Sequence, residues 1–430
     1  MSPITAVWKD YRDAAREFSR PARHYLLGEL LAWTGHGVFQ VLFNLYLLEA
    51  HFQEAFIGHA IALHGLGMAC AALPAGVLAD RWGRRRTLIL GAVLDGLGMA
   101  ARANTPAPGV ILAASVMSGA GQALLAIAAA PFLTEHSSPR ERTHLFSAFF
   151  ANSLIAGVAG SLIGGWLPRA LTALPAALRP DSFHSFRIAL SLAATLAVAA
   201  AIPLLRLGAL AEAAADSSRD RVPPGAARLL FPIALNAFLI GVGAGLVIPF
   251  MNLYFATRFH CSSVQIGLFF SIAQVCTACA ALLGPALAQR FGKLRTATVS
   301  ELLSLPFLVT LGAERRLGVA VVSFWFRASL MQASTPLIQA FVMEALPPAL
   351  RSRATSFINL VWNLGWAASA TLAGVVIQRF GYAVPFYITA VTYFLAASTF
   401  YLLFRRWPEV HASGVPGPDA ALIAPDPTPD

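Results

Sequence analysis

The sequence predicts an all-α integral membrane protein in which twelve membrane-spanning helices form two six-helix bundles related by a pseudo-two-fold axis. The first observation is composition, because 57% of the 430 residues are hydrophobic and only 12% are charged. Ordinary soluble domains carry about 25% charged residues, so this chain has too little polar surface to face water on all sides. The second observation is a series of long apolar stretches, and the third is an internal repeat.

The apolar stretches fall into two sets of six, and each is close to the roughly 20 residues that a helix needs to cross a bilayer. They occupy residues 25–48, 56–79, 88–104, 109–134, 144–167 and 186–205 in the first set, and 229–256, 264–288, 297–313, 317–343, 354–377 and 382–404 in the second. We therefore expect a first bundle at 25–206, a polar linker at 207–228 and a second bundle at 229–405. Residues 1–24 have the amphipathic pattern of an interfacial helix, and the Pro- and Asp-rich tail at 406–430 is expected to be disordered.

The two sets share a repeated motif. Residues 69–87 read ACAALPAGVLADRWGRRRT and residues 278–296 read ACAALLGPALAQRFGKLRT, with eleven of nineteen positions identical at an offset of 209 residues. Further matches at this offset or one residue less are Gly58 with Gly267, Gly165 with Gly374, and Asn44 with Asn252. Parallel repeats of six helices are typical of transporters in which two halves rock around a central site.

The basic residues are unevenly distributed along the chain. Its 31 Lys and Arg residues contribute to a net charge of +10, and most of them fall in segments that share one side of the membrane in a twelve-helix arrangement. Because cytoplasmic loops carry an excess of Lys and Arg, we expect both termini in the cytoplasm and a location in the plasma (inner) membrane. This pattern accounts for the positive charge without a nucleic acid partner. The expected partners are the lipid bilayer and a small-molecule substrate, and the expected state is a monomer.

The loop between the second and third apolar stretches carries the most specific motif. Residues 76–86, GVLADRWGRRR, resemble the signature of the major facilitator superfamily, and the degraded copy occupies the corresponding loop of the second half. The resemblance covers nearly the whole chain, and residues 76–86 are similar to the corresponding motif of drug–proton antiporters. It implies a secondary transporter, not an enzyme, that works by alternating access, with proton-coupled efflux of a small amphipathic molecule. The sequence contains no ATP-binding loop, so the expected energy source is a proton or other ion gradient, without a cofactor.

A negative charge in the first copy of the motif predicts a gate. Asp80 ends a helix, where a carboxylate opposes the helix macrodipole and needs a compensating partner. The resemblance implies the start of helix 11, near Arg353–Thr355, as that partner, so the contact would latch the two halves on the cytoplasmic side. Gly76 would let helix 2 approach its neighbour, and Gly83 would permit a tight turn. A basic loop that only sets topology is the alternative.

Acidic residues at the ends of helices 4 and 10 extend this predicted gate. The candidate ion pairs are Glu135 with Arg81 or Arg84, and Glu344 with Arg290 or Lys293. The second copy is expected to be weaker, because Gln289 replaces the motif carboxylate there. The complete predicted gate comprises Gly76, Asp80, Arg81, Gly83, Arg84, Arg85, Glu135, Arg142, Arg290, Gly292 and Glu344.

Four polar residues form a stripe along helix 1, namely Glu29, His36, Gln40 and Asn44. At 100° per residue they fall within about 80° of one another, and ionisable groups in a membrane are costly, so the stripe should face a cavity. We predict that it contacts substrate or couples protons, with Glu29 or His36 taking and releasing the proton. The alternatives are an acid that extends to the inner interface for Glu29 and a hydrogen-bonded helix contact for His36.

Arg327 is the most conspicuous charge within the apolar stretches. A guanidinium stays protonated, so it needs an anion, and we predict that a substrate or a coupling group supplies it. An internal ion pair is the alternative. Asp95 and Glu301 rank lower, because the family resemblance places helices 3 and 9 at the periphery. Transport of an anionic metabolite or lipid is therefore a second hypothesis for the chain, and a non-transporting membrane sensor or assembly protein is a third.

Overall fold

The computed structural model of the protein describes residues 18–138, 141–176, 178–207, 226–346 and 348–405. Most of the predicted interfacial helix, most of the linker and the tail from residue 406 lie outside the described residues. The described residues are almost all helical, and their long helices run in two sets of six. The all-α membrane fold predicted from the sequence is therefore confirmed.

The first half contains six helices that correspond to the first six apolar stretches. They are α1 (Arg20–Glu49), α2 (Glu54–Trp82), α3 (Arg84–Asn104), α4 (Pro108–Glu135), α5 (Arg142–Thr172) and α6 (Ser182–Ala199, continued as Ala201–Leu205). α1 begins at a capping residue, since the hydroxyl of Ser19 accepts a hydrogen bond from the backbone N–H of Ala22. Such a cap satisfies one of the backbone donors that a helix start leaves without an intrahelical partner.

The second half repeats this arrangement. Its helices are α7 (Ala226–Val247), α8 (Ser263–Phe291), α9 (Lys293–Ala313), α10 (Leu317–Ala345), α11 (Pro348–Phe380) and α12 (Ala383–Phe404). α7 continues beyond its regular part through a 3-10 turn, Ile248–Phe250, and a π-helical turn, Tyr254–Arg258. Pro249 lies in the first of these turns and has no backbone N–H to donate, which explains why the regular helix ends there.

Ten helices among the described residues are long and apolar enough to cross a membrane. The other two are α3 and α10, which carry buried ionisable side chains: Asp95 and Arg102 on α3, and Arg327 on α10. Both helices pack within their bundles, α3 against α4 and α6, and α10 against α8 and α9. These charges lower the hydropathy of two spanning helices and mark where each bundle holds polar groups in its interior.

Each copy of the sequence motif ends in a sharp turn between two helices. Gly83 separates α2 from α3 with a φ of 91°, and Gly292 separates α8 from α9 with a φ of 86°. Left-handed backbone is readily available only to glycine, which explains the glycine in both copies. We call the end of the molecule that carries these two turns the motif end, and the end that carries the loops after the odd-numbered helices the opposite end.

The two halves contact each other closely at the opposite end. α2 crosses α11 where a Cβ on Gly58 would lie 2.6 Å from the carbonyl oxygen of Ala370 and 3.2 Å from the Cα of Gly374. α8 crosses α5 in the matching way, since a Cβ on Gly267 would lie 2.9 Å from the Cα of Gly165. The four glycines are those that the sequence repeat relates, so the pseudo-two-fold axis generates both crossings.

The same helix pairs separate towards the motif end. A Cβ on Gly65, further along α2, would still lie 3.4 Å from the side chain of Ala367, but a Cβ on Gly76 would meet no described atom within 4 Å. The expectation that Gly76 lets α2 approach a neighbour is therefore wrong for this conformation, because α2 and α11 diverge before they reach it. The space between the halves widens towards the motif end.

The apolar core follows the same division. The largest buried cluster contains residues of both halves, such as Leu42 and Phe250. Three smaller clusters belong to one half each, one around Phe132, one around Phe341 near the motif end and a third around Leu337. Burial of apolar surface between protein side chains therefore joins the halves at the opposite end and holds each bundle together separately at the motif end.

Candidate functional site

A cavity of about 740 Å³ lies between the helices, within the roughly 300–1,000 Å³ that is typical of small-molecule sites. Its wall is formed by side chains from α7 to α12 and by Gln40 of α1. Most of the lining side chains are apolar or aromatic, including Phe324 and Trp362, and the charged residues of the described wall are Arg327 and Glu301. The cavity can therefore hold an apolar body and present two charges to it.

Two asparagines join the halves next to the cavity, on the side of the opposite end. The Nδ2 of Asn44 donates to the carbonyl oxygen of Pro249 at 2.6 Å and to the Oδ1 of Asn252 at 3.0 Å. The Nδ2 of Asn252 donates in return to the carbonyl oxygens of Gln40 and Val41, at 3.1 and 3.0 Å. Buried amides need such partners, and these hydrogen bonds connect α1 to α7 and close the cavity from this side.

The four residues of the predicted stripe on α1 have different surroundings. Gln40 lines the cavity, and Asn44 joins the halves at its closed side. Glu29 instead accepts a hydrogen bond from Asn152 of α5, and His36 contacts a carboxylate of α3 inside the first half. The expectation that the whole stripe faces a cavity is therefore wrong, because helical periodicity places residues on one face without showing which neighbouring helix that face meets.

His36 belongs to a buried polar network in the first half. Its Nε2 lies 2.7 Å from the Oδ2 of Asp95, and the hydroxyl of Ser118 donates to the Oδ1 of Asp95 at 2.6 Å. Arg102 donates to the Ser118 hydroxyl at 2.8 Å, and its guanidinium lies 5.0 Å from the ring centroid of Phe43. The carboxylate and the guanidinium compensate each other through Ser118, so the network connects α1, α3 and α4.

Arg327 lies in the cavity wall with an incomplete set of partners. The residue is only 4% exposed, and its guanidinium interacts with the hydroxyl of Tyr393 on α12. Its Nε and Nη1 atoms have no hydrogen-bond partner among the described residues. None of the ion pairs in the described part of the chain includes Arg327. The internal ion pair considered from the sequence is therefore not formed with a described carboxylate.

Glu301 and Tyr393 are wall residues that the sequence-based reasoning ranked low or missed. The family resemblance placed α9 at the periphery, but α9 and α12 both reach the cavity. Glu301 is only 3% exposed and accepts a hydrogen bond from the hydroxyl of Ser334 at 3.3 Å. An acid within an apolar stretch was the available signal for Glu301, whereas nothing in the sequence distinguished Tyr393 from other membrane aromatics.

The motif loops carry one ion pair in each half. Arg84 pairs with Glu135, and Lys293 pairs with Glu344 at the equivalent positions of the second half. Each pair joins neighbouring helices of one half, α3 to α4 and α9 to α10. Two of the ion pairs expected from the sequence, Glu135 with Arg84 and Glu344 with Lys293, are therefore formed. The expectation that they help to latch the halves together is wrong for this conformation, because each pair lies inside its own bundle.

The basic residues of the predicted gate contact helix ends. Arg85 donates to a carbonyl oxygen in the last turn of α6, and Arg142 donates to one in the last turn of α4 at 3.2 Å. Arg290 lies over the ring of Phe291, 5.4 Å from its centroid, and Arg81 is exposed. Carbonyl oxygens in a last helical turn lack intrahelical donors, so Arg85 and Arg142 satisfy groups that the helices leave unpaired.

Asp80 is the gate residue whose predicted contact is not formed by described side chains. Its side chain is 59% exposed, and the described ion pair that it makes is with Arg84 at 3.9 Å. The predicted partner is the start of α11, where the side chains of residues 348–353 lie outside the described part. The latch role of Asp80 therefore stays a prediction.

Replacing Asp80 with Asn should shift the population further towards the conformation that is open at the motif end. A charge at a helix terminus contributes about 0.3–1 kcal/mol, which corresponds to a roughly two- to fivefold change in the equilibrium. Paired spin labels, one on each half at the motif end, would report the shift as longer distances. Glu141→Gln, which removes a half-buried acid from the loop between α4 and α5 at that end, is the matched control. Unchanged distance distributions with intact transport would show that the loop only sets topology.

The fold and the cavity define a multi-pass membrane protein with two related halves and a cavity that is lined mainly by the second half. The family model of the Major Facilitator Superfamily matches residues 25–230 and 233–425. Since the match covers nearly all of the sequence, the chain belongs to the Major Facilitator Superfamily.

Characterised relatives match a smaller part of the chain. The multidrug resistance protein MdtH of Cronobacter sakazakii is 31% identical over 143 residues, which are 33% of this chain and 36% of MdtH. The drug efflux pump JefA of Mycobacterium tuberculosis is 26% identical over 143 residues, which are 31% of this chain and 28% of JefA. The matched stretch thus spans about a third of these relatives.

Solved structures share the fold over almost the whole chain. A bacterial homologue of the human lysosomal transporter Spinster, in an inward-facing and occupied conformation, has a TM-score of 0.74 at 15% identity and covers 90% of this chain and 96% of its own. A D-xylose–proton symporter has a TM-score of 0.69 at 17% identity and covers 89% of this chain and 97% of its own. At these identities the likeness concerns the fold.

Proposed function

We propose that the protein is a secondary active transporter that exports small amphipathic molecules by alternating access, coupled to protons. The observation that carries the proposal is a cavity of about 740 Å³ that is lined by the second half and by Gln40 of the first, next to the place where Asn44 and Asn252 join the halves. A wall in which apolar and aromatic side chains alternate with polar ones suits an amphipathic ligand. The names of the relatives, a multidrug resistance protein and a drug efflux pump, support efflux.

The motif end faces the cytoplasm in this proposal, because its loops are rich in Lys and Arg. Both termini are then cytoplasmic, the chain lies in the plasma membrane as a monomer, and the described conformation takes up substrate from inside the cell. To release it, the crossings at Gly58 and Gly267 would separate while the two motif loops approach each other. The energy comes from a proton or other ion gradient, without a bound cofactor.

Glu29 and His36 are the proposed proton carriers. Both lie inside the first half, so a proton there would act on the cavity through α1, which also carries Gln40 and Asn44. The Oε1 of Glu29 is buried without a hydrogen-bond partner among the described residues. An unpaired buried carboxylate is far more costly than an unpaired carboxylic acid, so protonation of Glu29 would stabilise this arrangement of α1 and α5.

Inside-out vesicles that contain the protein should accumulate a fluorescent lipophilic dye when their interior is made acidic. Glu29→Gln or His36→Ala should abolish this gradient-driven accumulation while the exchange of labelled for unlabelled dye continues, because the substituted group no longer links proton movement to substrate movement. The measurement is dye fluorescence against the imposed pH difference.

A protonophore and the Glu141→Gln variant serve as controls for this assay. The first should prevent accumulation by the parent protein. The second should leave it unchanged, since Glu141 lies in the loop between α4 and α5, where its carboxylate accepts a hydrogen bond from the backbone N–H of Ser138. If the Glu29 and His36 variants follow the gradient as the parent does, these residues are structural. If the parent never accumulates any of a panel of amphipathic dyes, the proposed function is wrong.

A second candidate function, the transport of an anionic metabolite or lipid, is favoured by one observation. Arg327 lies in the cavity wall with two donor atoms unpaired among the described residues. A guanidinium binds carboxylate and phosphate groups through paired hydrogen bonds. Competition between the dye and small organic anions in the same vesicles would test this function, with Arg327→Gln expected to lose the competition.

A further inference from the structure

The repeat places different side chains at equivalent positions of the two halves. In the first half, Asp95 of α3 accepts a hydrogen bond from Ser118 of α4 at 2.6 Å. At the repeat offset of 209 residues, the equivalent positions in the second half are Ser304 of α9 and Arg327 of α10. Arg102 completes the first network by donating to Ser118 at 2.8 Å. The first half thus holds a compensated pair of charges, whereas the second has a cation and no acid at the two equivalent positions.

The hydrogen-bonding capacity of Arg327 is not used up inside the protein. Its guanidinium carries five N–H donors and keeps its charge. The hydroxyl of Tyr393 interacts with it, but its Nε and Nη1 atoms have no hydrogen-bond partner in the described part of the chain. The residue is nevertheless only 4% exposed. Because Arg327 also lines the cavity, a group that enters the cavity can supply the missing acceptors.

The second ionisable group of the wall, Glu301, also has no charged partner among the described residues. Its carboxylate accepts a hydrogen bond from Ser334 at 3.3 Å, and the ion pairs of the described residues do not include it. Tyr393 interacts electrostatically with both Arg327 and Glu301. The cavity therefore presents a fixed cation and a buried carboxyl group near the same phenol, and the two are not joined to each other.

We propose that this part of the cavity binds a zwitterion, and this inference rests on the proposed transport function. The acidic group of the ligand binds Arg327 and the hydroxyl of Tyr393, and its ammonium group binds Glu301. Its apolar body lies along the aromatic and aliphatic wall formed by Phe324 and Trp362. The substrate class is therefore an amphipathic molecule that carries both an acid and an amine.

The count of charges distinguishes a zwitterion from a ligand with one charge. An anion alone would compensate Arg327 but would leave the carboxyl group of Glu301 without a cationic partner. A cation alone would compensate Glu301 but would leave the guanidinium uncompensated in the bilayer. Buried charges are stable when they are paired and hydrogen-bonded, and a ligand with both groups compensates Arg327 and gives Glu301 a cationic partner at once.

A matched set of four indole compounds tests the proposal on the purified full-length protein. Tryptophan and glycyl-tryptophan carry both charges at two different separations, N-acetyltryptophan carries only the acid, and tryptophanamide carries only the amine. Affinity is measured by titration calorimetry and by the concentration-dependent rise in melting temperature. At least one zwitterion should bind roughly tenfold or more tightly than both single-charge compounds, as expected for one additional charge-assisted hydrogen bond.

Substitutions in the wall should remove this preference in opposite ways. Arg327→Gln should bind the zwitterion no better than tryptophanamide, and Glu301→Gln should bind it no better than N-acetyltryptophan. Arg327→Lys keeps the charge but not the two-pronged geometry, and it should retain part of the preference. Arg316→Gln, at an exposed position before α10, is the matched control and should behave as the parent does.

Three results would overturn the proposal. The parent protein could bind N-acetyltryptophan or tryptophanamide as tightly as the zwitterions, or it could bind none of the four compounds. Alternatively, the preference for zwitterions could survive both Gln substitutions. A ligand-free Arg327→Gln protein that melts well below the parent would instead indicate an internal counter-charge. Dye accumulation in vesicles tests transport independently, so a protein that exports dyes without zwitterion preference would retain the proposed function and lose this inference.

Discussion

Replacing both Gly58 and Gly267 with Val should prevent the opposite end from closing and should abolish transport. A Cβ on Gly58 would lie 2.6 Å from the carbonyl oxygen of Ala370, and one on Gly267 would lie 2.4 Å from that of Ser161. The atoms that would be met belong to the backbone, so they cannot rotate away as a side chain could. Overpacking costs about 1–3 kcal/mol per site, and the two crossings share no helix, so the costs should add.

The expected shift is at least about tenfold towards conformations that are open at the opposite end, since each 1.4 kcal/mol changes an equilibrium constant tenfold. Spin labels at His51 and Arg379 would measure it, because these exposed positions flank the hydrogen bond of 2.8 Å between Gln378 and Gln53. In the parent the labels should be close, and in the double variant they should separate.

A second pair of glycines provides the control. Gly109 and Gly318 are also related by the repeat, and a Cβ on either would meet no described atom within 4 Å. Gly109→Val with Gly318→Val should therefore leave both the distance distribution and transport unchanged. If the Gly58 and Gly267 variant keeps the short distances of the parent, the halves can pack without these glycines and the prediction is wrong.

The repeat predicted which glycines correspond but not which of them touch. It relates Gly58 to Gly267 and Gly165 to Gly374, whereas the contacts run from Gly58 to Gly374 and from Gly267 to Gly165. A two-fold axis between the halves requires this exchange, because it carries the α2–α11 crossing onto the α8–α5 crossing. An internal sequence repeat shows that the two halves have the same fold, but it does not show the orientation in which they pack against each other.

The helices themselves could be predicted because membrane burial depends on local properties. Length and hydropathy along the chain are enough to indicate where a bilayer can be crossed, and the turns at Gly83 and Gly292 follow from residues that adopt a positive φ. The partners of a polar side chain are not local in this sense. Gln40 and His36 lie on the same face of α1, yet Gln40 lines the cavity and His36 contacts Asp95.

The charged groups around Asp95 in the first half and around Arg327 in the second were also predictable only in part. Arg327 was predictable as a site residue because a guanidinium in an apolar stretch always needs an explanation. The spacing of Asp95 and Arg102 on α3 left open whether they compensate each other or a ligand. That difference depends on Ser118, which bridges them from α4, and a serine in a membrane helix carries no such signal in the sequence.

Asp95→Asn should therefore be among the most destabilising single substitutions in the first half. Asp95 is fully buried and is the carboxylate of a network that also contains His36, Ser118 and Arg102. Asparagine keeps the shape of the side chain but removes the negative charge, and the guanidinium of Arg102, 6% exposed, then has no counter-charge. Removing one partner of a buried ion pair costs roughly 3–5 kcal/mol.

Unfolding in mixed detergent micelles would measure this loss, and a double-mutant cycle would separate it from other effects of the substitution. Arg102→Gln alone should also destabilise, because it removes the guanidinium and leaves the carboxylate with its contacts to His36 and Ser118. The variant with both changes should lose clearly less unfolding free energy than the sum of the two single variants, since the polar groups that remain can hydrogen-bond to one another without leaving a charge unpaired.

Asp181→Asn is the control, because Asp181 is an exposed cap of α6 and asparagine caps a helix about as well as aspartate. Single variants that unfold within about 1 kcal/mol of the parent, or losses that add fully in the double variant, would show that Asp95 and Arg102 are not a compensated pair. The network would then have to keep its charges for another purpose, and His36, which contacts Asp95 directly, would be the first residue to test for it.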